Sequence, residues 1–216
     1  MTRPLIALVG SPNSGKTTLF NALTGLRGKV GNYPGVTVDR KEGLVSTPGG
    51  TVGVVDLPGL YSLEPLSEDE RISSRVLRGE MPGEAVPDGI VVVADATSLE
   101  RSLPFVAEVI GLGRPVLLAL TMVDELKARG GSIDLFRLQK TLGIPVIGVV
   151  GTRGLGMDDL KEKLSSLSSW GTPRPVADPS KAAAWTENVL SQSSRIQPRP
   201  SRLTKKIDAC VLHPVM

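Results

Sequence analysis

Short continuous runs of apolar residues alternate along the chain with segments in which apolar residues recur every three or four positions. Continuous runs of Val, Ile, Leu and Ala are typical of parallel strands that are buried on both faces. The runs lie at residues 5–9, 53–55 leading into Asp56, 90–94, 116–120 and 146–150. The segments with helical spacing are residues 17–23, 99–112, 135–142 and 157–167. This alternation predicts an α/β fold, a doubly wound sheet with helices on both faces.

Residues 38–46 indicate a further strand, because apolar and polar residues alternate in part and Pro48-Gly49-Gly50 follows shortly afterwards. Such a turn predicts a hairpin, so this strand would pair antiparallel at one edge of the sheet. We therefore expect a mixed sheet of six strands.

The composition changes after residue 170. Prolines cluster at residues 171–175 and 197–200, on either side of a short predicted helix at 181–191. Proline clusters are typical of linkers, so we place a domain boundary near residue 170. The predicted division is 1–170 for the main folded unit and 171–208 for a short helical or linker region.

The charges and the rare residue types exclude several classes of protein. Residues 1–170 carry 18 basic and 19 acidic side chains, whereas residues 171–216 carry seven and three. A nucleic-acid-binding protein more often has a basic stripe on its folded domain, so we expect no nucleic-acid partner. One cysteine and one histidine allow neither an intramolecular disulfide nor a set of zinc ligands, and they disfavour thiol or imidazole catalysis.

The sequence predicts no membrane span. The longest stretches without a charge, such as residues 43–55, are well short of the roughly 18 to 20 apolar residues that a membrane-spanning helix needs. The first residues also lack the long apolar region of a signal peptide, so we expect the chain to start in the cytosol.

Residues 10–17, Gly-Ser-Pro-Asn-Ser-Gly-Lys-Thr, match the pattern G-x-x-x-x-G-K-[ST] of a phosphate-binding loop. The motif follows an apolar strand and opens a helix, where exposed N–H groups can meet a phosphate. Gly10 and Gly15 keep Cβ atoms out of the way, Lys16 would reach the β and γ phosphates, and Thr17 would ligate Mg²⁺. The alternative is a glycine-rich turn without a ligand. The residues predicted to bind nucleotide here are Gly10, Asn13, Ser14, Gly15, Lys16, Thr17 and Thr18.

Two further motifs are predicted to sense the metal and the γ phosphate. Asp56 opens the sequence Asp-Leu-Pro-Gly and can hold Mg²⁺ through water, while the Gly59 N–H can bond the γ phosphate. Thr37 lies in a Gly/Pro-rich loop and can close over Mg²⁺ while the γ phosphate is present. A common turn and a plain loop threonine are the alternatives. Leu60 stands where Ras-like enzymes have a glutamine that positions the attacking water. A leucine cannot do this, so catalysis must come from elsewhere in the site or be slow.

The sequence Thr121-Met122-Val-Asp124 stands where a guanine-specific GTPase has Asn-Lys-x-Asp. The Asp124 carboxylate can accept two hydrogen bonds from guanine N1–H and N2, which adenine does not offer. Thr121 supplies one hydroxyl instead of the donor and acceptor of an amide. One hydrogen bond is worth roughly 0.5 to 1.5 kcal/mol, so we expect about tenfold weaker nucleotide binding. Gly151 and Thr152 would offer backbone N–H groups to guanine O6, unless their loop is an ordinary turn.

In these and neighbouring stretches the sequence resembles the ferrous iron transport protein B family. The loop Asn-Tyr-Pro-Gly-Val-Thr at residues 32–37 and Leu-His-Pro at 212–214 are more specific than the phosphate-binding loop. The matching stretches are residues 10–21, 30–43, 56–63, 67–71, 93–101, 118–125 and 203–215.

The resemblance implies a Ras-like P-loop GTPase fold with a short helical C-terminal segment. It implies a switch that binds GTP or GDP with Mg²⁺ and hydrolyses GTP slowly. The Mg²⁺ ligands would be Thr17, Thr37 and Asp56, and the catalytic residues would be Asn13, Lys16, Thr37 and Gly59.

The resemblance also implies stimulation by K⁺. Asn13 would help to hold K⁺ against the phosphates, and backbone carbonyls near Gly31 and Tyr33 would complete the site. A cation at this place would stabilise developing charge as an arginine finger does, which fits the leucine after Gly59.

The family attaches this switch to an Fe²⁺-conducting membrane domain. The resemblance therefore implies that the partner is a transmembrane iron-permeation domain of the same full-length protein. It implies a location at the cytoplasmic face of the bacterial inner membrane, and it is compatible with a homo-oligomer. Residues 209–216 would begin the approach to that membrane domain. Family members usually carry a helical bundle that residues 171–208 are too few to form, and a serine where this chain has Gly151. The basic tail residues, which a membrane surface or a plain solvated linker would explain equally well, are Arg195, Arg199, Arg202, Lys205 and Lys206.

Two other functions stay open at this point. One is a soluble regulatory GTPase that acts in RNA or ribosome assembly, which would need a basic face that residues 1–170 lack in net charge. The other is a module that holds nucleotide without turning it over.

Overall fold

The computed structural model describes residues 3–171, 173 and 182–199. In this part of the chain, seven strands form one sheet and seven α-helices pack around it. The strands are β1 (Leu5–Val9), β2 (Lys29–Asn32), β3 (Asp39–Thr47), β4 (Gly50–Asp56), β5 (Gly89–Asp95), β6 (Val116–Thr121) and β7 (Val146–Gly148). The helices are α1 (Lys16–Thr24), α2 (Glu68–Arg78), α3 (Leu99–Ile110), α4 (Val123–Ala128), α5 (Leu135–Leu142), α6 (Met157–Leu164) and α7 (Ala182–Gln192), with short 3₁₀ turns at Ala96–Ser98 and Leu167–Trp170.

The strand order is β2-β3-β4-β1-β5-β6-β7, and β4, β1, β5, β6 and β7 run parallel. Strand β1 lies between β4 and β5, with Leu8 opposite Asp56 and Val9 opposite Val92. The carboxyl ends of the central strands therefore lie side by side. Ligands of open α/β sheets bind just beyond these carboxyl ends.

The predicted edge hairpin is confirmed, but the predicted number of six strands is wrong by one. β3 pairs antiparallel with β4, and β2 pairs antiparallel with β3 as an additional outer strand. All four residues of β2 are exposed. Because an apolar run marks a strand only where its side chains are buried, the sequence carries no such signal for β2.

Two apolar clusters fill the two faces of the sheet. On β1 the side chains alternate, so that Ala7 and Val9 belong to one cluster and Ile6 and Leu8 to the other. Helices α2, α3, α5 and α7 contribute to the first cluster, and α1 and α6 contribute to the second. The prediction of helices on both faces is confirmed.

Within residues 1–170, helices lie at the four predicted places, and two more helices, α2 and α4, were not predicted from the sequence pattern. Charged residues dominate α2, although Ile72, Val76 and Leu77 are buried in the core. The Ser67 hydroxyl accepts a hydrogen bond from the Glu70 N–H and caps this helix. Helix α4 has six residues, which is too short for helical periodicity to show.

The helix predicted at residues 181–191 is α7, which packs on α3 and α5. Val189 of α7 is 0% exposed. After α7, Ile196 forms an antiparallel bridge with Ser132, and the buried Arg195 guanidinium forms an ion pair with Glu100. The segment that follows α7 is thereby attached to α3 and to the connection between α4 and α5.

Several predictions for the tail fall on residues outside the described ranges. These include most of the proline cluster at 171–175, Arg202, Lys205, Lys206 and the stretch 209–216. The domain boundary near residue 170 stays a prediction. Within the described ranges, every helix is too short or too polar to cross a lipid bilayer.

Replacing Val189 by alanine should lower the free energy of unfolding by about 2 kcal/mol, because two buried methyl groups are lost and a small cavity remains. Urea denaturation measures the change. Leu66→Ala is the control, since Leu66 is 97% exposed and its truncation should cost less than about 0.5 kcal/mol. Equal effects of the two substitutions would contradict the packing of α7 on α3 and α5.

Candidate functional site

The loop of residues 10–15 connects β1 to α1 and needs glycine at both ends. A Cβ on Gly10 would lie 2.3 Å from the carbonyl oxygen of Val93, so no other residue fits without moving β5. Gly15 has φ +83°, in the left-handed region that glycine adopts without strain. Asn13 shares this region with φ +66° and is exposed. The loop therefore takes the wrapped form that a phosphate-binding motif requires.

Lys16, Thr17 and Asp56 meet at the carboxyl ends of β1 and β4. The Lys16 ammonium forms an ion pair with one oxygen of Asp56, and the Thr17 hydroxyl donates to the other at 3.4 Å. Asp56 is 5% exposed. A buried carboxylate costs free energy unless it is paired and hydrogen-bonded, so Asp56 depends on these two partners. Two motifs that lie 40 residues apart thus form one polar cluster.

An open cavity of about 510 Å³ adjoins this cluster. It brings together five of the predicted residues, since Lys16, Thr17, Thr37, Asp56 and Gly59 all line it. A cavity of about 660 Å³ elsewhere on the surface, beside the end of α1 and the middle of β3, contains none of the predicted site residues. The smaller cavity is therefore the candidate site.

The oxygen atoms of Thr17, Thr37 and Asp56 suit Mg²⁺, which prefers hydroxyl, carboxylate, phosphate and water ligands. All three residues line the same cavity, and Thr17 already contacts Asp56. The residues present therefore fit a magnesium ion whose remaining ligands would be a phosphate and water.

The turn after β4 lies against the phosphate-binding loop. A Cβ on Gly59 would be 3.2 Å from the ring of Pro12, and the Leu60 N–H donates to the Gly10 carbonyl at 3.2 Å. The Leu60 side chain is buried in the core. It therefore cannot orient a water molecule in the cavity, which agrees with the expectation for an apolar side chain.

Thr121 contacts the phosphate-binding loop. Its hydroxyl lies 2.6 Å from the Ser14 carbonyl and 3.2 Å from the Ala94 carbonyl, and its side chain is buried. Its methyl group would be 3.3 Å from a Cβ on Gly15. This hydroxyl acts as a donor to the protein backbone, so Thr121 supports the loop that would hold phosphate.

Asp124 and the loop after β7 are adjacent. One Asp124 oxygen accepts the Glu125 N–H at 3.0 Å, and the other lies 3.5 Å from the Arg153 guanidinium. Met122 turns the chain into α4 with φ +55°. A Cβ on Gly151 would be 3.4 Å from the Thr18 methyl, so the loop containing Gly151 and Thr152 passes next to α1. The predicted base-reading residues thus flank the helix that follows the phosphate-binding loop.

Gly31 and Tyr33 are not among the residues that line the candidate cavity. Gly31 belongs to β2 and pairs with Arg40. The Tyr33 carbonyl accepts the Val36 N–H at 3.2 Å, and the Tyr33 side chain is buried. Burial raises the pKa of the Tyr33 hydroxyl above its usual range. The potassium site predicted at Asn13 and the carbonyls near Gly31 and Tyr33 stays a prediction.

Comparison with known proteins identifies the family. The family model described as Ferrous iron transport protein B matches residues 4–164, a range that contains all the motifs that line or flank the site. The chain belongs to this family.

A FeoB relative is the Fe(2+) transporter of Leptospira biflexa, which is 44% identical over 165 residues, covering 76% of this chain and 23% of the relative. The chain thus spans about a quarter of that relative's length. Among solved structures, the G domain of the T. maritima FeoB iron transporter is 42% identical with a TM-score of 0.69, covering 77% of this chain and 99% of that chain. The cytosolic domain of T. maritima FeoB in its GMPPNP form is 43% identical with a TM-score of 0.74, covering 81% of this chain and 68% of that chain. These similarities confirm the P-loop GTPase fold.

Sequence reasoning missed several polar residues of this FeoB-family site. Asp39, Lys41 and Asp69 line the cavity, and Arg153 contacts Asp124. Asp69 lies in the stretch 67–71 that carries the resemblance to the FeoB family, which was a usable signal. Asp39 and Lys41 lie on β3, which pairs antiparallel with β4, and they belong to the stretch 30–43 that carries the same resemblance.

Thr121→Val should weaken nucleotide binding by about tenfold, because it leaves the buried Ser14 carbonyl without this donor while it keeps the shape of the side chain. Isothermal titration with GDP measures the change. Thr121→Ser keeps the hydroxyl and should stay within about threefold of the wild type. An unaltered affinity of Thr121→Val would show that the hydroxyl does not support the loop.

Proposed function

We propose that this chain is the GTP-binding and GTP-hydrolysing regulatory domain of a ferrous iron membrane transporter. The observation that carries the proposal is the convergence of Lys16, Thr17, Thr37, Asp56 and Gly59 on one cavity at the carboxyl ends of the strands. These residues come from three separate motifs, and each has the chemistry that a triphosphate site needs. The T. maritima relative in its GMPPNP form supports a guanine nucleotide as the ligand.

Lys16 is proposed to act on the phosphate charge. Its ammonium is paired with Asp56, and a bound phosphate would offer it a second anion at the same cavity. N–H groups at the start of α1 and the Gly59 N–H would add hydrogen bonds to the phosphate oxygens. Magnesium, when bound to Thr17, Thr37 and Asp56, supplies positive charge that neutralises the phosphates.

Asp124 is proposed to select guanine. Its carboxylate lies in the loop after β6, near the loop of Gly151 and Thr152 and near Thr18 on α1. Guanine presents two donors to a carboxylate, and the backbone N–H groups of the second loop would meet its O6. Adenine can use neither contact well, so GTP should be preferred over ATP.

Potassium is proposed to replace a catalytic side chain. Leu60 is buried and cannot orient water, so hydrolysis without help should be slow. Asn13 is exposed in the phosphate-binding loop and can offer its amide oxygen to a cation beside the phosphates. The backbone carbonyls near Gly31 and Tyr33 are proposed to complete this site.

The proposed partner is a transmembrane iron-permeation domain at the cytoplasmic face of the bacterial inner membrane. The FeoB relative is several times longer than the matched segment, which leaves room for such a domain in that protein. The order or disorder of the loops that contain Thr37 and Gly59 would report the nucleotide state to the partner. Homo-oligomer formation is part of the same proposal.

Replacing Asp124 by alanine should weaken GTP binding by about 100-fold, because two hydrogen bonds to a charged acceptor are lost. ATP binding should be weak in the wild type and unchanged in the variant. Isothermal titration in the presence of Mg²⁺ measures both nucleotides, and Asp158→Ala, an exposed carboxylate on α6, is the control. Wild-type protein that binds ATP as tightly as GTP would refute guanine selection.

Phosphate release should be faster in KCl than in NaCl at the same ionic strength, and Asn13→Ala should abolish the difference. The reason is that K⁺ fits the site formed by an amide oxygen and phosphates, whereas the variant lacks that oxygen. Asn188→Ala on the exposed face of α7 should keep the potassium effect. Equal turnover of the wild type in the two salts, or a potassium effect that survives in Asn13→Ala, would contradict the proposed role.

A further inference from the structure

The carboxylate of Glu108, on α3, holds the turn that follows Gly59. The Ser62 hydroxyl lies 3.1 Å and 3.0 Å from its two oxygens. The Leu63 N–H donates to Glu108 Oε2 at 2.5 Å. These contacts join positions that are 45 and 46 residues apart in the sequence. Hydrogen bonds to an ionised acceptor are roughly twice as strong as those between neutral groups.

The same turn is held from the side of α2. The Ser73 hydroxyl donates to the Pro58 carbonyl at 2.9 Å, and the Ser74 hydroxyl donates to the Leu63 carbonyl at 2.7 Å. Helix α2 therefore holds the carbonyls of residues 58 and 63, and helix α3 holds the N–H of residue 63. Gly59, which lines the candidate cavity, lies inside this segment.

Helix α3 gives the Glu108 carboxylate a firm base. Leu103, Val106 and Ile110 of this helix are buried in the core, so α3 cannot shift without disturbing the packing. Glu108 is partly exposed and lies beside a cavity of about 460 Å³ that Ser62 and Leu63 also line. The turn after Gly59 is thus attached to the core helix α3 through a charged group, the Glu108 carboxylate, which lies close to solvent.

We propose that Glu108 is a positioning residue that holds residues 62 and 63 so that the Gly59 N–H stays in place for the γ phosphate. This inference rests on the proposed function, because it assigns Glu108 to the triphosphate-sensing part of that site. Without the carboxylate, the turn would have to be ordered by the nucleotide itself. The free energy needed to order the turn would weaken the binding of GTP, because the γ phosphate of GTP contacts the Gly59 N–H. The binding of GDP, which lacks the γ phosphate, would not be weakened.

The test compares GMPPNP with GDP binding to the wild type, Glu108→Ala and Glu108→Gln by isothermal titration with Mg²⁺. The ratio of GMPPNP to GDP affinity should fall about three- to tenfold in Glu108→Ala, with the GDP affinity unchanged. Glu108→Gln keeps an oxygen that can accept from the Leu63 N–H and should recover part of the loss. Amide hydrogen exchange at Leu63 should be faster in Glu108→Ala than in the wild type.

Glu64→Gln is the matched control, because this glutamate lines the same cavity and its side chain has no hydrogen bond with any described residue. An affinity ratio that rises or stays within twofold in Glu108→Ala would overturn the inference. Equal losses of GDP and GMPPNP affinity would also overturn it, since they would show a purely structural role. Wild-type protein that binds neither nucleotide would instead overturn the proposed function, so the two failures are distinguishable.

Discussion

The alignment of the carboxyl ends of β1, β4 and β6 is the constraint on which the site depends. The pairing of Leu8 with Asp56 places a carboxylate beside the loop that follows β1, and the parallel neighbours β5 and β6 bring Thr121 to the same edge. This alignment leaves almost no spare space. Gly10 passes so close to the Val93 carbonyl that a single methyl group would not fit. The position of the phosphate-binding loop is therefore set by the sheet.

The parts that would bind phosphate and base are held as one unit. The Thr121 hydroxyl reaches the Ser14 carbonyl, and the loop of Gly151 passes against Thr18. A ligand that contacts one loop therefore meets neighbours that are already in position. Such preorganisation reduces the entropy that binding must overcome. The attachment of the turn after Gly59 to Glu108 extends the same arrangement to the side of the cavity that is proposed to sense the γ phosphate.

The sequence was sufficient to predict the elements whose burial or motif gives a local signal. Five parallel strands follow from apolar runs, and Lys16, Thr17, Asp56 and Gly59 follow from two short motifs; the structure brings these four residues to one cavity. Strand β2 could not be predicted, since an exposed edge strand has no apolar pattern. The Glu108 contact with Ser62 and Leu63 and the Arg153 contact with Asp124 join positions that only the tertiary fold brings together. Thr121 was recognised as a substitution in a motif, but its backbone partner depends on the register of β6 beside the phosphate-binding loop.

The exposed edge strand β2 also bears on how the loop of Thr37 can move. Four residue pairs with β3 hold β2, no strand of the described residues pairs with its outer side, and none of its side chains belongs to the core. Detaching it therefore exposes little apolar surface and breaks few backbone hydrogen bonds, whereas shifting any inner strand would open the core. Among the strands of this sheet, β2 is thus the one whose displacement would cost least, and it lies next to the loop that is proposed to close over Mg²⁺, so the inner strands could stay in place during such a movement.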